Sequence, residues 1–267
     1  MAGKIDLKGK HVLVIGLART GIATALFCAD HGAIVTATPG VPGDVALLVK
    51  ARALKIPVWS EIELAFRFLS GQLIGITGSN GKTTTTSLIE YILRNAGFST
   101  VLGGNIGTPL IAEVGETNDR TIAVAELSSF QLELIDTFRP NIAVFLNLTP
   151  DHLDRHKTLT AYGTAKARIF ENQTSEDFAI LNADDAVSTK YAPSLPQVYW
   201  FSRKTNAEQG AFVRDGKIIF RQAGRDDEIL DCREIPLSLL CRCGASYRIR
   251  RRDSRSPLLQ RFEGHQC

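Results

Sequence analysis

Gly75-Ile76-Thr77-Gly78-Ser79-Asn80-Gly81-Lys82-Thr83-Thr84 is the stretch that decides the fold. An apolar run that begins at Gln72 precedes it, and apolar residues recur at helical spacing between residues 85 and 97. A glycine-rich turn between a strand and a helix directs backbone N–H groups at an anion near the positive end of the helix. The pattern therefore predicts a loop that binds the phosphates of a nucleotide triphosphate.

Individual residues of this loop have expected tasks. The positive charge of Lys82 would bind the outer phosphates, and the Thr83 hydroxyl would be a ligand for Mg²⁺. The strict phosphate-loop pattern has glycine six residues before the lysine, where this chain has Ile76, so an ordinary strand-to-helix turn is the alternative. The predicted phosphate-binding residues are Gly78, Ser79, Asn80, Gly81, Lys82, Thr83 and Thr84.

Length and composition indicate a globular protein. The chain has 267 residues, 44% of them hydrophobic, which allows about two domains with a proper core. Its sequence contains no apolar run near the roughly 20 residues that cross a bilayer, and it starts without the apolar segment of a signal peptide. The five cysteines form no convincing disulfide or zinc framework. We expect a cytoplasmic monomer without membrane insertion.

The net charge of +3 is unevenly distributed. Residues 238–267 carry seven arginines against two acidic residues, a balance of +5 that leaves −2 for residues 1–237. Nucleic-acid binding would therefore depend on this tail alone. Its Arg-, Ser- and Cys-rich composition is what a GC-rich gene yields when it is read out of frame. We expect an aberrant segment and no nucleic-acid partner.

The first residues suggest a βαβ unit. Residues 11–15 form a predicted strand, residues 16–21 open a helix, and residues 33–36 form a second strand. A dinucleotide site is disfavoured because Ala18 replaces the middle glycine and no acidic residue follows the second strand, where Thr38 stands. The unit would hold another phosphate, or none.

Strands alternate with helices through the rest of the chain, which predicts an α/β fold with a mainly parallel sheet. Besides the strand before the phosphate loop, we predict strands at residues 56–59, 98–102, 121–125, 141–148 and 178–181. Predicted helices cover residues 43–55, 61–69, 85–97 and 159–170. Short strands over residues 197–220, with Asp215-Gly216 as a hairpin turn, form a small β extension.

Polar residues follow several of these strands. Asn105, Glu126 and His152 each come after a predicted strand, and the carboxyl ends of parallel strands meet at one edge of a sheet. A carboxylate after an apolar strand favours a cation as its partner, and a neutral imidazole could ligate a second metal. The alternatives are a helix N-terminal carboxylate for Glu126 and a turn histidine bonded to backbone for His152.

Several motifs, taken together and in order, resemble the Mur ligases. The resemblance covers residues 5 to 237 and is closest to the D-glutamate-adding branch, because of the Ser-Ser-Phe-Gln-Leu run and the Gly-Asn-Ile-Gly turn. The motifs are Thr77-Gly78-Ser79-Asn80-Gly81-Lys82-Thr83, Gly104-Asn105-Ile106-Gly107, Glu126-Leu127-Ser128-Ser129-Phe130-Gln131-Leu132-Glu133, Asp151-His152-Leu153-Asp154-Arg155-His156 and Ala165-Lys166-Ala167-Arg168-Ile169-Phe170-Glu171-Asn172.

The resemblance implies an activity and its substrates. ATP, with Mg²⁺, would phosphorylate the alanyl carboxylate of UDP-N-acetylmuramoyl-L-alanine, and the amine of D-glutamate would then displace phosphate in peptidoglycan synthesis. It also implies three regions: a truncated Rossmann-like domain that binds the UDP substrate over residues 1–70, an ATP-binding domain over residues 71–237, and the aberrant tail.

The resemblance assigns roles to individual residues as well. Lys82, Lys166 and His152 are the implied catalytic residues. Thr83 and Glu126 would hold one Mg²⁺, His152 the second, and Lys166, carbamylated by CO₂, would be an anionic metal ligand. The implied substrate contacts are Asn105, Ser128, Arg19 and Thr20.

Two departures from the family set limits on these expectations. Thr38 passes directly into Pro39-Gly40-Val41-Pro42, as if a block of the first domain were deleted. After residue 237 the family's C-terminal domain, which binds D-glutamate, is replaced by the tail. We therefore expect weak nucleotide binding and no ligation from this chain. The alternatives are a non-catalytic nucleotide-binding fragment and a ligase of the folylpolyglutamate synthase type.

Overall fold

The structure of the chain, a computed structural model, describes residues 5–16, 18–38 and 46–235. The predicted deletion junction at Pro39 to Pro42 and the predicted aberrant tail, residues 238–267, lie outside the described residues. Among the helices that are described, none is long and apolar enough to cross a membrane.

A mainly parallel sheet forms the body of the described chain, which confirms the predicted fold class. Its strand order is β11-β10-β9-β8-β7-β6-β3-β5-β4, and the seven strands from β9 to β4 pair in parallel, while β10 and β11 pair antiparallel. The strands are β3 (Gln72–Thr77), β4 (Ser99–Gly104), β5 (Thr121–Glu126), β6 (Ile142–Phe145), β7 (Phe178–Asn182), β8 (Gln197–Ser202), β9 (Gly210–Arg214), β10 (Lys217–Gln222) and β11 (Arg225–Asp231).

Short helices connect the parallel strands, and one long helix follows the phosphate loop. The α-helices are α1 (Arg19–Asp30), α2 (Ala46–Ala53), α3 (Glu61–Phe68), α4 (Lys82–Asn95), α5 (Leu110–Glu113), α6 (Ser129–Leu132), α7 (Leu153–His156) and α8 (Leu159–Ala167). Single 3₁₀ turns cover Val114–Glu116, Arg168–Phe170, Ser188–Tyr191 and Cys232–Glu234.

Strand β3 lies inside the sheet, between β5 and β6, and is buried on both faces. Leu73 packs into one hydrophobic cluster, whereas Ile74 and Ile76 pack into a second cluster on the opposite face. A Cβ atom at Gly75 would lie 2.9 Å from Leu127 Cδ1, so a larger residue there requires the Leu127 side chain to shift. Because helices cover both faces, the apolar run is continuous rather than alternating. The fold thus fixes the end of β3, where the phosphate loop begins.

The N-terminal unit is a βαβ arrangement, as predicted. Strands β1 (His11–Ile15) and β2 (Ile34–Thr38) pair in parallel as a separate two-stranded sheet. The Phe27 ring of α1 meets the Phe68 ring of α3 edge-on, at 4.8 Å between centroids. Leu13 is 44% exposed, so the small sheet buries its apolar side chains incompletely.

Several element boundaries differ from the predictions. The strand predicted at residues 56–59 was wrong: this segment pairs with no strand in the described part of the chain, and Pro57 has no N–H to donate to a ladder. Helix α4 begins at Lys82 rather than at residue 85, because the loop itself turns the chain into the helix. Strand β6 ends at Phe145, shorter than predicted. The hairpin at Asp215-Gly216 is confirmed, with Arg214 paired to Lys217.

A buried carboxylate joins α3 to the loop before β6. The Glu63 side chain is fully buried and accepts hydrogen bonds from the backbone N–H groups of Asp136, Thr137 and Phe138. Arg67 Nε lies 2.8 Å from its Oε1. Burial opposes ionisation, but these hydrogen bonds outweigh it and lower the pKa of Glu63. With the Thr137 hydroxyl, which also donates to Oε1, five donor groups bind this one carboxylate and make the contact a strong structural link.

We predict that Glu63→Gln lowers the free energy of unfolding by about 3 kcal/mol, because the amide nitrogen faces backbone donors in a buried site. The folded-state pKa lies below the unfolded value of 4.5, so this stabilisation is present above pH 4.5 and is lost as the pH falls through the folded pKa. Urea unfolding at pH 7 and pH 4 measures both effects. The exposed Glu176→Gln is the control, and equal stability of the two variants at pH 7 contradicts the prediction.

Candidate functional site

The predicted phosphate loop is a left-handed turn between β3 and α4. Gly78 has φ +153° and Gly81 has φ +80°, conformations that favour glycine. A Cβ atom at Gly78 would lie 3.0 Å from Leu146 Cβ. Gly81 is the residue before the first turn of α4, and Lys82, Thr83 and Thr84 form that turn. The loop therefore ends at the positive end of a fourteen-residue helix.

A second loop, which follows β6, holds the phosphate loop in place. Asn147 Oδ1 accepts from Asn80 N at 2.9 Å, its Nδ2 donates to Asn80 O at 3.0 Å, and its backbone O accepts from Ser79 N at 3.0 Å. Ser79 Oγ donates to Thr149 O at 3.0 Å. Sequence reasoning missed Asn147. Its position after an apolar strand is the same signal that identified Glu126.

Glu126 lies at the carboxyl end of β5 and is 2% exposed. Its Oε2 accepts a hydrogen bond from Thr83 Oγ1 at 2.7 Å, and its Oε1 accepts from Asn105 Nδ2 at 2.8 Å. These residues come from three separate segments, so the structure brings together three of the predicted site residues. Neutral donors hold the carboxylate.

Two lysines point at the same carbonyl oxygen of the loop. Lys82 Nζ and Lys166 Nζ donate to Gly78 O at 3.0 and 2.8 Å. Lys166 is 1% exposed, and burial, with the charge of Lys82, lowers its pKa to about 7 against the opposing charges of Asp151 and Glu126. Burial also lowers the pKa of Lys82. The loop therefore lies next to two amino groups whose charged forms are disfavoured by burial.

His152 is placed differently from Glu126. It has a left-handed backbone, with φ +49°, and its side chain is about half exposed. Its backbone N–H donates to Asp151 Oδ1 at 2.9 Å, and its ring lies 5.1 Å from that of Phe130. The described contacts do not bring the His152 ring to Glu126, Thr83 or Lys166. Its role as a second metal ligand stays a prediction.

The oxygen donors at Glu126 fit a hard cation. The Thr83 hydroxyl and the Glu126 carboxylate are the ligand types that Mg²⁺ prefers. Within the described ranges no three His, Cys, Asp or Glu side chains gather closely enough to hold a metal ion by themselves. An ion here would need phosphate oxygens and water as further ligands, which is the usual coordination of Mg²⁺ at nucleotides.

A cleft of about 230 Å³ opens between the N-terminal unit and the sheet. It is lined by the predicted substrate residues Arg19, Thr20 and Asn105, and by Glu61, Gly104, Gly107, Pro109 and Gln131. Arg19 Nη1 donates to Gly107 O at 2.7 Å across the cleft.

Ser128 does not line this cleft. It caps helix α6, where its Oγ accepts from Gln131 N at 3.3 Å and donates to Gln131 Oε1 at 3.0 Å. The hydroxyl predicted to touch substrate therefore already takes part in a capping box. The role predicted for Ser128 as a substrate contact stays a prediction.

We predict that Gly78→Ala destabilises the fold by about 2 kcal/mol, because its φ of +153° is strained for any other residue and the added methyl meets Leu146. Chemical unfolding of the purified chain measures the change. Gly115→Ala, where a Cβ meets open space, is the matched control. Equal stability of the two variants would contradict the loop geometry.

Comparison of the sequence with known proteins matches one protein family and named members of it. The sequence profile described as the Mur ligase middle domain matches residues 76–237. A protein of Koribacter versatilis named UDP-N-acetylmuramoylalanine–D-glutamate ligase is 46% identical over 268 residues, covering 85% of this chain and 59% of the relative. A protein of the same name from Acidobacterium capsulatum is 44% identical and covers 87% and 60% respectively. The chain spans about three fifths of the length of these relatives.

Solved structures share the fold. The chain matches a ligase from Neisseria meningitides, named UDP-N-acetylmuramate:L-alanyl-gamma-D-glutamyl-meso-diaminopimelate ligase, with a TM-score of 0.54 at 18% identity, over 82% of this chain and 86% of that one. It also matches the MurF ligase of Thermotoga maritima, solved in complex with ADP, with a TM-score of 0.51 at 21% identity, over 83% and 55% respectively. At these identities the likeness concerns the fold alone.

Proposed function

The chain belongs to the Mur ligase family, and from this premise we propose that it carries the ATP-binding and carboxylate-activating part of a ligase that joins D-glutamate to UDP-N-acetylmuramoyl-L-alanine. The observation that carries the proposal is the contact of Thr83 with Glu126, 2.7 Å apart, directly after the phosphate loop. An ordinary strand-to-helix turn gives no reason to bury a carboxylate against the first turn of the helix. The relatives at 44–46% identity bear the name of this activity.

The phosphate loop suits a triphosphate. The N–H groups of Ser79 and Asn80 are bonded to Asn147, so the N–H groups at the start of α4 are the ones offered to phosphate. Lys82 adds a positive charge, and its Nζ donates to Gly78 O at 3.0 Å and to Ser79 O at 2.9 Å. A γ-phosphate would compete for that ammonium with two uncharged carbonyl oxygens, and a bond between oppositely charged groups is the stronger one. Thr83 and Glu126 would hold Mg²⁺, whose chemistry is to neutralise charge on the transferring phosphoryl group.

The proposed reaction has two displacements. A carboxylate oxygen of the alanyl group attacks the γ-phosphorus of ATP, and ADP leaves with the electron pair of the broken P–O bond. The amine nitrogen of D-glutamate then attacks the carbonyl carbon of the acyl phosphate, loses a proton, and expels inorganic phosphate. Lys82 stabilises charge that develops in the first step. The cleft between Arg19 and Asn105 is the proposed site of the acceptor.

Lys166 is the proposed carbamate. Its Nζ is buried with one carbonyl partner, an expensive position for an unpaired ammonium. The ammonium first loses one proton; attack of the neutral amine on CO₂ then forms an N–C bond and releases a second proton, so that a cation becomes an anionic oxygen group. That group would face the loop as an additional oxygen ligand.

Carbamylation of Lys166 predicts a signal in carbon-13 NMR. Wild-type protein equilibrated with carbon-13 bicarbonate should show one slowly exchanging carbamate resonance, and Lys166→Ala should lack it. Lys190→Ala, which removes an exposed lysine, should keep it. A wild-type spectrum identical to that of Lys166→Ala overturns the carbamate.

Titration with ATP and Mg²⁺ tests the nucleotide site directly. Lys82→Ala should weaken binding by at least tenfold, because the variant loses a charge-assisted contact to the outer phosphates. Lys190→Ala is again the control and should bind as the wild type does. If all three proteins bind equally, or none binds, the loop does not hold a triphosphate.

Trapping of the acyl phosphate tests the reaction class. Wild-type protein with Mg·ATP and UDP-N-acetylmuramoyl-L-alanine, reduced with borohydride, should yield the corresponding alcohol without D-glutamate present. Glu126→Gln should reduce the yield by about 100-fold, because it removes the anionic partner of the metal. Nucleotide binding without any trapped product favours the non-catalytic fragment, and product formed only with a folate acceptor favours the other ligase type.

A further inference from the structure

Glu61 lines the cleft and has no part in the function described so far. It is the first residue of α3, and its Oε1 accepts from Ile111 N at 2.6 Å, at the start of α5. One carboxylate oxygen therefore caps a neighbouring helix, which is a structural task. The second oxygen, Oε2, takes no part in this contact.

That second oxygen is buried and unsatisfied. Among the described residues Glu61 Oε2 has no hydrogen-bond partner, although it has almost no contact with water. Burial raises the pKa of Glu61 to about 7, against the opposing influence of the Ile111 and Leu110 N–H groups and the nearby Gln131 side chain. Above that pH the carboxyl is ionised, and its orphaned acceptor is then costly in a folded protein unless a ligand donates to it.

The residues around Glu61 indicate which chemical group of a ligand would donate to Oε2. Gln131 Oε1 accepts from Ser128 N and Oγ, each 3.0 Å away, so the only donor of this side chain is its Nε2, which lies near Glu61 but forms no hydrogen bond with Oε2. Arg19 lies on the same cleft and disfavours a cationic ligand. The donor is therefore a neutral N–H or O–H group rather than an ammonium.

The position and the volume of the cleft limit which part of a ligand it can hold. Asn105 lines the cleft and donates to Glu126, so the cleft adjoins the proposed site of phosphoryl transfer. At about 230 Å³ the cleft is smaller than the roughly 300–1,000 Å³ of a whole-ligand site, so it takes one arm of a larger molecule. In the proposed acceptor, the arm next to the reacting carboxylate carries secondary amides.

We propose that Glu61 Oε2 accepts a hydrogen bond from a secondary amide N–H of the acceptor and so selects an amide-bearing sugar–peptide substrate. The inference depends on the proposed function for the identity of that acceptor. Two groups share the chemistry, the alanyl amide and the acetamido group of the sugar. Glu61 is a specificity-determining residue that touches substrate through one oxygen and α5 through the other.

The test compares Glu61→Gln with the wild type against two probes. The variant keeps an oxygen for Ile111 N but presents NH₂ where the free oxygen was, so a substrate N–H would meet a donor. The probes are UDP-N-acetylmuramoyl-L-alanine and its ester analogue, in which oxygen replaces the alanyl N–H. Affinities come from calorimetric titration, and Glu116→Gln, an exposed glutamate, is the matched control.

We expect Glu61→Gln to bind the amide probe at least tenfold more weakly, with unchanged Mg·ATP affinity and thermal unfolding. If wild-type affinity for the ester analogue drops by the same factor and Glu61→Gln adds no further loss, the alanyl N–H is the donor. If Glu61→Gln weakens both probes equally, the acetamido N–H is the donor. Either result supports the proposal.

Two results overturn it, and they are distinguishable. Equal amide-probe affinity of wild type, Glu61→Gln and Glu116→Gln leaves Glu61 as a helix cap only, while the proposed function stands. Wild-type protein that binds neither probe removes the acceptor assignment and the inference together. Should Glu61→Gln unfold, the ester analogue on the wild type decides: affinity equal to that of the amide probe excludes the alanyl amide, and the des-acetyl sugar then tests the remaining group.

Discussion

The buried carboxylate of Glu126 is the constraint on which the site depends. A charged group with 2% exposure, at the end of a parallel strand, is expensive unless its oxygens are occupied. Here each oxygen takes one neutral donor, from Thr83 and Asn105. These contacts fix the first turn of α4 and the turn after β4 relative to β5. A carboxylate has further lone pairs, so this arrangement can still accept a cation beside the loop.

The phosphate loop is held by contacts that do not require a ligand. The Asn147 side chain accepts from Asn80 N and donates to Asn80 O. Lys82 and Lys166 both donate to Gly78 O. A loop that is already shaped loses little conformational entropy when a nucleotide binds. The N-terminal unit meets this region through Arg19 and Gly107, which places the cleft next to the nucleotide site.

Sequence patterns were sufficient for the parts of the fold that depend on local chemistry. The loop at residues 78–84, the apolar strands and the convergence of Asn105 with Glu126 follow from composition and from the rule that parallel strands end at one edge. The segment at residues 56–59 was misassigned because β-branched and aromatic residues suit a strand, while pairing requires a neighbour that only the folded chain supplies. Glu61 was missed because its partner Ile111 is 50 residues away, beyond any local pattern. Asn147 was missed because the strand before it was predicted to run to residue 148, whereas it ends at Phe145.

The central claim is that the loop of residues 78–84 holds nucleotide phosphates at the start of α4, beside a metal bound through Thr83 and Glu126. A crystal structure of the chain with Mg²⁺ and a non-hydrolysable ATP analogue tests it most directly. The account predicts the γ-phosphate at the start of α4, with Lys82 Nζ moved from Gly78 O to a phosphate oxygen and Mg²⁺ ligated by Thr83 Oγ1. A nucleotide bound elsewhere, or Lys82 still on Gly78 O with no metal near Glu126, would contradict it.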